Sequence, residues 1–331
     1  MSAAEVIGVA DAVELAVVER SGFVESRHSG TAIVLSPDGQ VVRSLGDPEA
    51  PLFPRSCLKP FQAVAVMASG VALRGEDAAI ATASHTGTAG HVALVRGLLD
   101  RANISPARLG CPPAMPSDRA AREQLIRDGN GPDRLYMNCS GKHAAMLLAC
   151  VANNWPLEGY LDPRHPLQKR ILDVIERLTG EKPVATGIDG CGAPVHAITL
   201  RGLAHGVQRI TTSSASSPFA LYREAGALTE AVRENGWVIA GPGQPDSIAI
   251  DRLGVFAKAG AEGVMIMTAP DGTSVALKVL DGSSRASAIV ALRLLVSAGA
   301  LDSAAVDAVA AELDLWVSGG SGRVGEIRAT V

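Results

Sequence analysis

Aromatic residues make up only 3% of the chain, and no basic run stands out against a net charge of −4. Without clustered Lys and Arg there is no counterion-release term to drive binding to a phosphate backbone. Without aromatics there are few platforms for base stacking. Nucleic acid is therefore not an expected partner. Also lacking is any uninterrupted apolar run of the roughly 18 residues a membrane helix requires, so no membrane association is expected. The opening segment MSAAEVIGVADAVELAVVERSG has no basic n-region, and acidic residues break up its apolar stretch. It reads as a first strand or helix instead of a signal peptide, which makes the cytoplasm the expected compartment. Cysteine is sparse too: Cys57, Cys111, Cys139, Cys150 and Cys191 are odd in number and form no CxxC pair. A disulfide framework is not expected, and burial, metal ligation or catalysis accounts for them better.

What is present is globular. Hydrophobic residues are 47% and charged residues 19% of 331 residues. That length permits one large domain or two closely packed lobes. Residues 22–44 hold two β-rich runs around Ser36-Pro37-Asp38-Gly39, and GVMIMTAPDGTSVALKVLDG repeats the design with Asp271-Gly272 at its tip. An alanine-rich helix is predicted from about Ser284 to Ala298. Helices are predicted over 58–69, 89–103, 118–128, 143–153, 166–178 and 219–235. Strands at both ends with helices between them predict an α+β fold whose terminal hairpins meet in one antiparallel sheet. Residues 1–331 are read as a single unit of two lobes: a sheet lobe of about 1–55 plus 240–331, and a helical lobe of about 56–239. The glycine-rich stretch near 318–325 reads as loose.

Two familiar strings fail on context. Gly320-Ser321-Gly322-Arg323-Val324-Gly325 matches GxGxxG, but too little chain follows for the phosphate-binding helix. Gly141-Lys142 resembles a P-loop ending, but Tyr136 replaces its first glycine and His143 its Ser/Thr.

Five other segments carry chemistry. In Arg55-Ser56-Cys57-Leu58-Lys59-Pro60, the proline fits a first helical turn and puts the helix start near Ser56. Residues three apart then share a face, so the Lys59 amine is predicted to reach the Ser56 hydroxyl. A desolvated lysine can serve as the base such a hydroxyl needs, and helix-start N–H groups can stabilise an oxyanion. Alone, SxxK is equally an N-cap serine with a surface lysine. Ala83-Ser84-His85-Thr86-Gly87-Thr88-Ala89-Gly90-His91 is a tight, donor-rich loop or an ordinary cap. Asn138-Cys139-Ser140-Gly141-Lys142-His143 opens another helix. Gly187-Ile188-Asp189-Gly190-Cys191-Gly192-Ala193-Pro194 sets an acid and a thiol among glycines that are costly to order. These two loops could jointly hold a soft cation such as zinc, or their thiols could simply be buried hydrophobes. The fifth, Gly254-Val255-Phe256-Ala257-Lys258-Ala259-Gly260, puts a lysine in an apolar strand, facing a pocket or solvent.

In this order, RSCLKPFQA, SHTGTAGH, NCSGKHAAML, GIDGCGAPVHA and AKAGAEGV, with GYLDPRHPLQ in support, resemble the rhizobial-type (class 3) L-asparaginases of the asparaginase II family. The resemblance runs from about Arg55 to Val264. It implies a fold like the serine β-lactamases and glutaminases, a homodimer, and hydrolysis of L-asparagine to L-aspartate and ammonia through a Ser-Lys acyl-enzyme. Ser56 with Lys59, and Ser84 with Lys258, match the family's two serine–lysine pairs. Cys139, Lys142 and Cys191 match its zinc ligands. Arg55 lies beside the nucleophile, and Asp189 and His143 match residues near the metal. Together with His85, these are the expected substrate contacts, Asp189 for the substrate ammonium and Arg55 for its carboxylate. Gly241-Pro242-Gly243-Gln244-Pro245-Asp246-Ser247 departs from the family pattern and leaves substrate preference open. Two alternatives stand beside this reading: a serine-acylating hydrolase of β-lactamase or esterase type, and a catalytically degenerate zinc-binding interaction protein.

Overall fold

A computed structural model describes residues 6–331. In chain order, β1 (Val13–Arg20), β2 (Phe23–Leu35), β3 (Val41–Leu45) and the short β4 (Pro51–Leu52) lead into α1 (Lys59–Met67). Then come α2 (Gly75–Thr82), α3 (Ala89–Asp100), α4 (Arg119–Arg127), α5 (Ser140–Ala152) and α6 (Pro166–Thr179). A hairpin of β5 (Ala185–Ile188) and β6 (Pro194–Thr199) interrupts the helices. It is followed by α7 (Leu200–Thr211), α8 (Ala220–Glu234), α9 (Gly236–Ile239) and α10 (Pro245–Leu253). The chain ends with β7 (Phe256–Gly260), β8 (Val264–Thr268), β9 (Ser274–Val279), α11 (Ser287–Ser297), α12 (Ser303–Glu312), β10 (Trp316–Gly319) and β11 (Gly322–Ala329).

The protein is α+β. Its main sheet runs β10-β11-β1-β2-β9-β8-β7, with β3 also on β2, and every pairing is antiparallel. The terminal hairpins meet as expected: β2 pairs with β9 in the register Gly30↔Val279 to Leu35↔Ser274. Every residue of β8 is buried, so both faces of the sheet are covered there and the strand reads as a continuous apolar run instead of alternating. α11 packs on β8, β9 and β11. α7 contacts β2, β8 and β9, and also α1, α6 and α8, joining the sheet to the helices.

One sequence expectation needs correction. The stretch near 318–325 is not loose: it forms the turn and strands of the β10–β11 hairpin, and β11 pairs with β1 from Ala16↔Ala329 to Arg20↔Gly325. Its glycines serve a tight turn and a close strand approach. The middle of the chain is mostly helical, as expected, and β4, β6 and β5 add a small antiparallel sheet that was not expected. The glycines of the 187–194 segment had obscured that hairpin.

Candidate active site

The turn bearing Ser56 is held from two sides. Arg55–Leu58 is a single 3-10 turn that runs directly into α1, where Pro60 takes an early helical position without wasting a donor. Arg55 itself has φ +53°. A non-glycine residue in that region costs about 1–3 kcal/mol, and such strain tends to sit at functional sites. The turn is locked onto β7: the Cys57 thiol donates to the Lys258 carbonyl at 3.2 Å, and a Cβ at Gly260 would lie 2.7 Å from the Pro54 carbonyl oxygen. Only glycine lets the strand come this close. Burial raises the Cys57 thiol to about 12, so it acts as packing and not as a nucleophile.

Ser84 sits just past α2, in an extended segment gripped by two distant pieces of chain. Its N–H donates to the Ile239 carbonyl (2.8 Å), that of His85 to Asn138 (3.2 Å), and that of Thr86 to Ala240 (2.9 Å). This grip aims the Ser84 hydroxyl at Lys59. The Lys59 amine donates to Ser84 Oγ at 2.7 Å and to the Ala83 carbonyl at 2.6 Å. The expected reach of Lys59 back to Ser56 is not made: they are joined through the backbone, where the Lys59 N–H donates to the Ser56 carbonyl. The physical reason is burial. The Lys59 ammonium is only 1% exposed, so it must bond inward, and the carbonyl and hydroxyl at the end of α2 are the available acceptors. Burial lowers Lys59 to about 8; Cys139 opposes the shift, while Lys258 and Lys142 add to it.

The cysteine loop and the β5–β6 hairpin meet beside Lys59. Cys139 caps α5, and Gly141 allows that helix to approach α2 so closely that a Cβ would lie 2.3 Å from the Ile80 carbonyl oxygen. Asp189 and Cys191 stand at the hairpin tip, closed by Asp189 N–H to the Ala193 carbonyl (2.9 Å), with Gly192 at φ +86°. The Lys142 amine donates to Cys191 Sγ at 3.1 Å, and the Cys139 thiol donates to Asn138 Oδ1 at 3.3 Å. The mutual influence of Cys139 and Cys191 moves the two thiols in opposite directions: Cys139 falls well below the usual thiol range and Cys191 rises. Burial would lower Lys142, but the two sulfurs outweigh it and hold the amine above its ordinary value. Burial would likewise raise Asp189, but Arg55, whose Nε donates to Oδ1 at 2.7 Å, and Lys142 bring it below the usual range. The predicted ammonium anchor and carboxylate anchor thus hold each other.

Whether this corner suits zinc depends on its donors. Two buried thiols and a buried amine are borderline-soft N/S donors converging on one place, and that set fits zinc once the amine and thiol protons are lost. Among the described residues, no three His, Cys, Asp or Glu side chains come together as a metal site, so a zinc ion here would need the Lys142 amine as its third donor.

The two histidines are bound inward. Ser140 Oγ donates to the Leu135 carbonyl, so it accepts from His85 Nε2 (2.8 Å), while His85 Nδ1 accepts from the Gly87 N–H. Both ring nitrogens are used, and burial holds the ring well below its usual range. His85 supports the serine loop and has nothing left for a substrate. His143 pairs through Nδ1 with Tyr160 Oη at 2.6 Å, and that hydroxyl accepts the Gly110 N–H. Its Nε2 is buried and unpartnered.

Lys258, on β7, shares with Ser84 the lining of a cavity of about 210 Å3. Its amine donates to the Ala259 carbonyl at 2.7 Å and lies 3.8 Å from Asp246 Oδ2. Asp246 and Tyr160 are the site residues that sequence reasoning missed. Asp246 lay in the one segment noted as departing from the pattern, and Tyr160 in a segment quoted only in support.

Fold and site together define an α+β protein in which buried lysines and thiols lie beside half-buried serines. The chain belongs to the L-asparaginase II family, whose model matches residues 16–329. No curated protein matches it significantly. Among solved structures, Mglu in its glutamate form is similar at 14% identity and a TM-score of 0.45, covering 82% of this chain and 60% of that one. The chain therefore spans about three fifths of that protein's length. A β-lactamase from Mycobacterium bovis is similar at 18% identity and a TM-score of 0.42, covering 86% of this chain and 95% of that one.

Proposed function

We propose that the protein is an L-asparaginase that hydrolyses L-asparagine to L-aspartate and ammonia through a serine acyl-enzyme. Family membership supports the amide substrate. The observation that carries the chemistry is the wholly buried Lys59 amine, lowered to about 8, 2.7 Å from one serine hydroxyl and one turn beyond another. A base near neutrality can take a proton at working pH and return it.

In the proposed reaction, Ser56 Oγ attacks the side-chain amide carbon and its proton passes to Lys59, whose amine would turn from Ser84 to receive it. Backbone N–H groups at the start of the Ser56 turn are the proposed oxyanion donors. The carbon–nitrogen bond breaks, the leaving nitrogen takes the proton from Lys59, and ammonia departs. Water then attacks the ester, Lys59 accepts its proton, and Ser56 is released with the proton restored. Arg55 and Asp189, paired in the free protein, would exchange partners to bind the substrate carboxylate and ammonium. Cys139, Lys142 and Cys191 would hold zinc, which when bound supplies a fixed positive charge that orients the substrate. Ser56 as acyl acceptor is supported by the strained Arg55 backbone beside it. Ser84 as acyl acceptor is the second reading, supported by its direct bond to Lys59. A cytoplasmic homodimer completes the proposal, in keeping with the family resemblance and with five buried, free cysteines.

The test is ammonia release from asparagine, glutamine and β-aspartyl peptides, run beside a chromogenic β-lactam. Acid-quenched reactions are then mapped by mass spectrometry for the acylated serine. Asparagine turnover with an aspartyl adduct on Ser56 is expected, and an adduct on Ser84 transfers the nucleophile role. Turnover of the β-lactam alone, or of nothing by folded protein, overturns the assignment.

A further inference from the structure

Lys258 has a charged partner outside the residues that carry the proposed reaction. Asp246 is 5% exposed, so its carboxylate needs compensation from within the protein. Its Oδ2 accepts the Ala259 N–H at 2.7 Å and lies 3.8 Å from Lys258 Nζ, while that amine donates to the Ala259 carbonyl at 2.7 Å. Carboxylate, amine and the Ala259 peptide thus close a ring that folds the lysine back over its own strand, at the cavity it shares with Ser84. The next residue reaches the other member of the pair. Ser247 Oγ donates to the Gly236 carbonyl at 2.8 Å and accepts the Gly241 N–H at 3.2 Å. It thereby fixes the loop whose Ile239 and Ala240 carbonyls hold the backbone of Ser84 and Thr86. One dipeptide at the start of α10 therefore ties down both Lys258 and the segment bearing Ser84.

We infer that Asp246 is a positioning residue for Lys258, with Ser247 setting the opposing Ser84 segment, so that the second serine–lysine pair is assembled by α10. The inference rests on the serine–lysine reading above. A carboxylate in this position fixes where the lysine amine points without needing to touch the substrate, so its loss should act on turnover and spare binding.

The test is a double-mutant cycle of Asp246→Asn and Lys258→Met, with kcat and KM for asparagine and thermal unfolding measured on each protein. Asp246→Asn keeps an acceptor for the Ala259 N–H and removes the charge. It should lower kcat by about 10- to 100-fold with KM within about twofold, and Asp246→Glu should recover part of the loss. In the Lys258→Met background, Asp246→Asn should have no further effect on kcat. If Asp246→Asn alone does not fold, the double variant, which lacks both charges, decides: kcat equal to that of Lys258→Met supports the inference, and a further loss overturns it. Wild-type kcat in Asp246→Asn, or effects that simply multiply, also overturn it. A wild-type protein inert towards asparagine would instead strike down the functional reading.

Discussion

Lys59 and Lys142 are both buried in one centre, yet the protein moves them in opposite directions. Lys59 falls to about 8 and Lys142 rises. Desolvation acts on both alike, so burial alone cannot account for the difference. Lys59 donates to a carbonyl and a hydroxyl, and burial together with repulsion from two other lysines outweighs the one sulfur, Cys139, that favours its charge. Lys142 lies between two sulfurs, one of which accepts its hydrogen bond. One amine is thus readied to give up its proton near neutrality. The other keeps its proton until something replaces it, such as a cation that both sulfurs also bind.

The contrast breaks most visibly at Lys59. Lys59→Met should cost about 100- to 10 000-fold in kcat, the usual worth of a general base, and a loss of less than tenfold would remove that role. The wild-type pH profile tests the same amine. Activity should rise with pH through one ionisation near 8 and level off above it, because the neutral form is the base. The stability sign is the same. The folded value lies below the 10.5 of a free lysine, so the unfolded chain holds more protons between about pH 8 and 10.5. This group's burial penalty is therefore complete below about pH 8 and fades as pH climbs through that window. Urea unfolding at several pH values measures it.

At Lys142 the comparison is sharpened through zinc. Lys142→Met and Cys191→Ser should each weaken zinc binding by more than the about 10- to 100-fold typical of losing an outer-shell partner. Bound zinc per chain, measured by atomic emission after dialysis, reads this out independently of turnover. Binding to the wild type should release protons, since amine and thiols must give theirs up; unchanged zinc content in both variants would remove the metal from this corner. The smallest effect is expected at the edge of the centre. Tyr160→Phe removes the hydroxyl bonded to both His143 and the Gly110 N–H. It should lower unfolding free energy by about 1–3 kcal/mol.

Much of the architecture was legible because it repeats along the chain. The hairpin turns at Ser36–Gly39 and Asp271–Gly272, and the 3.6-residue periodicity of the middle helices, are local signals. The β5–β6 hairpin was not legible, because Gly187, Gly190 and Gly192 dilute any strand pattern. The site was legible as a set of segments, since polar and small residues at helix starts stand out against an alanine-rich background. Partnership within the set was not. Sequence spacing joined Ser56 to Lys59, whereas three-dimensional packing gives the Lys59 amine to Ser84. It also makes His85 an internal strut and brings Asp246 to Lys258 from 12 positions away.

The residues alone determined which groups with reactive chemistry this protein possesses, and that they gather at helix and strand ends, because local propensity depends only on near neighbours. Which amine faces which hydroxyl, and which lysine holds its proton, was decided only when distant segments packed together. Those choices depend on charge and water exclusion over a few ångströms, and such distances exist only in the folded chain.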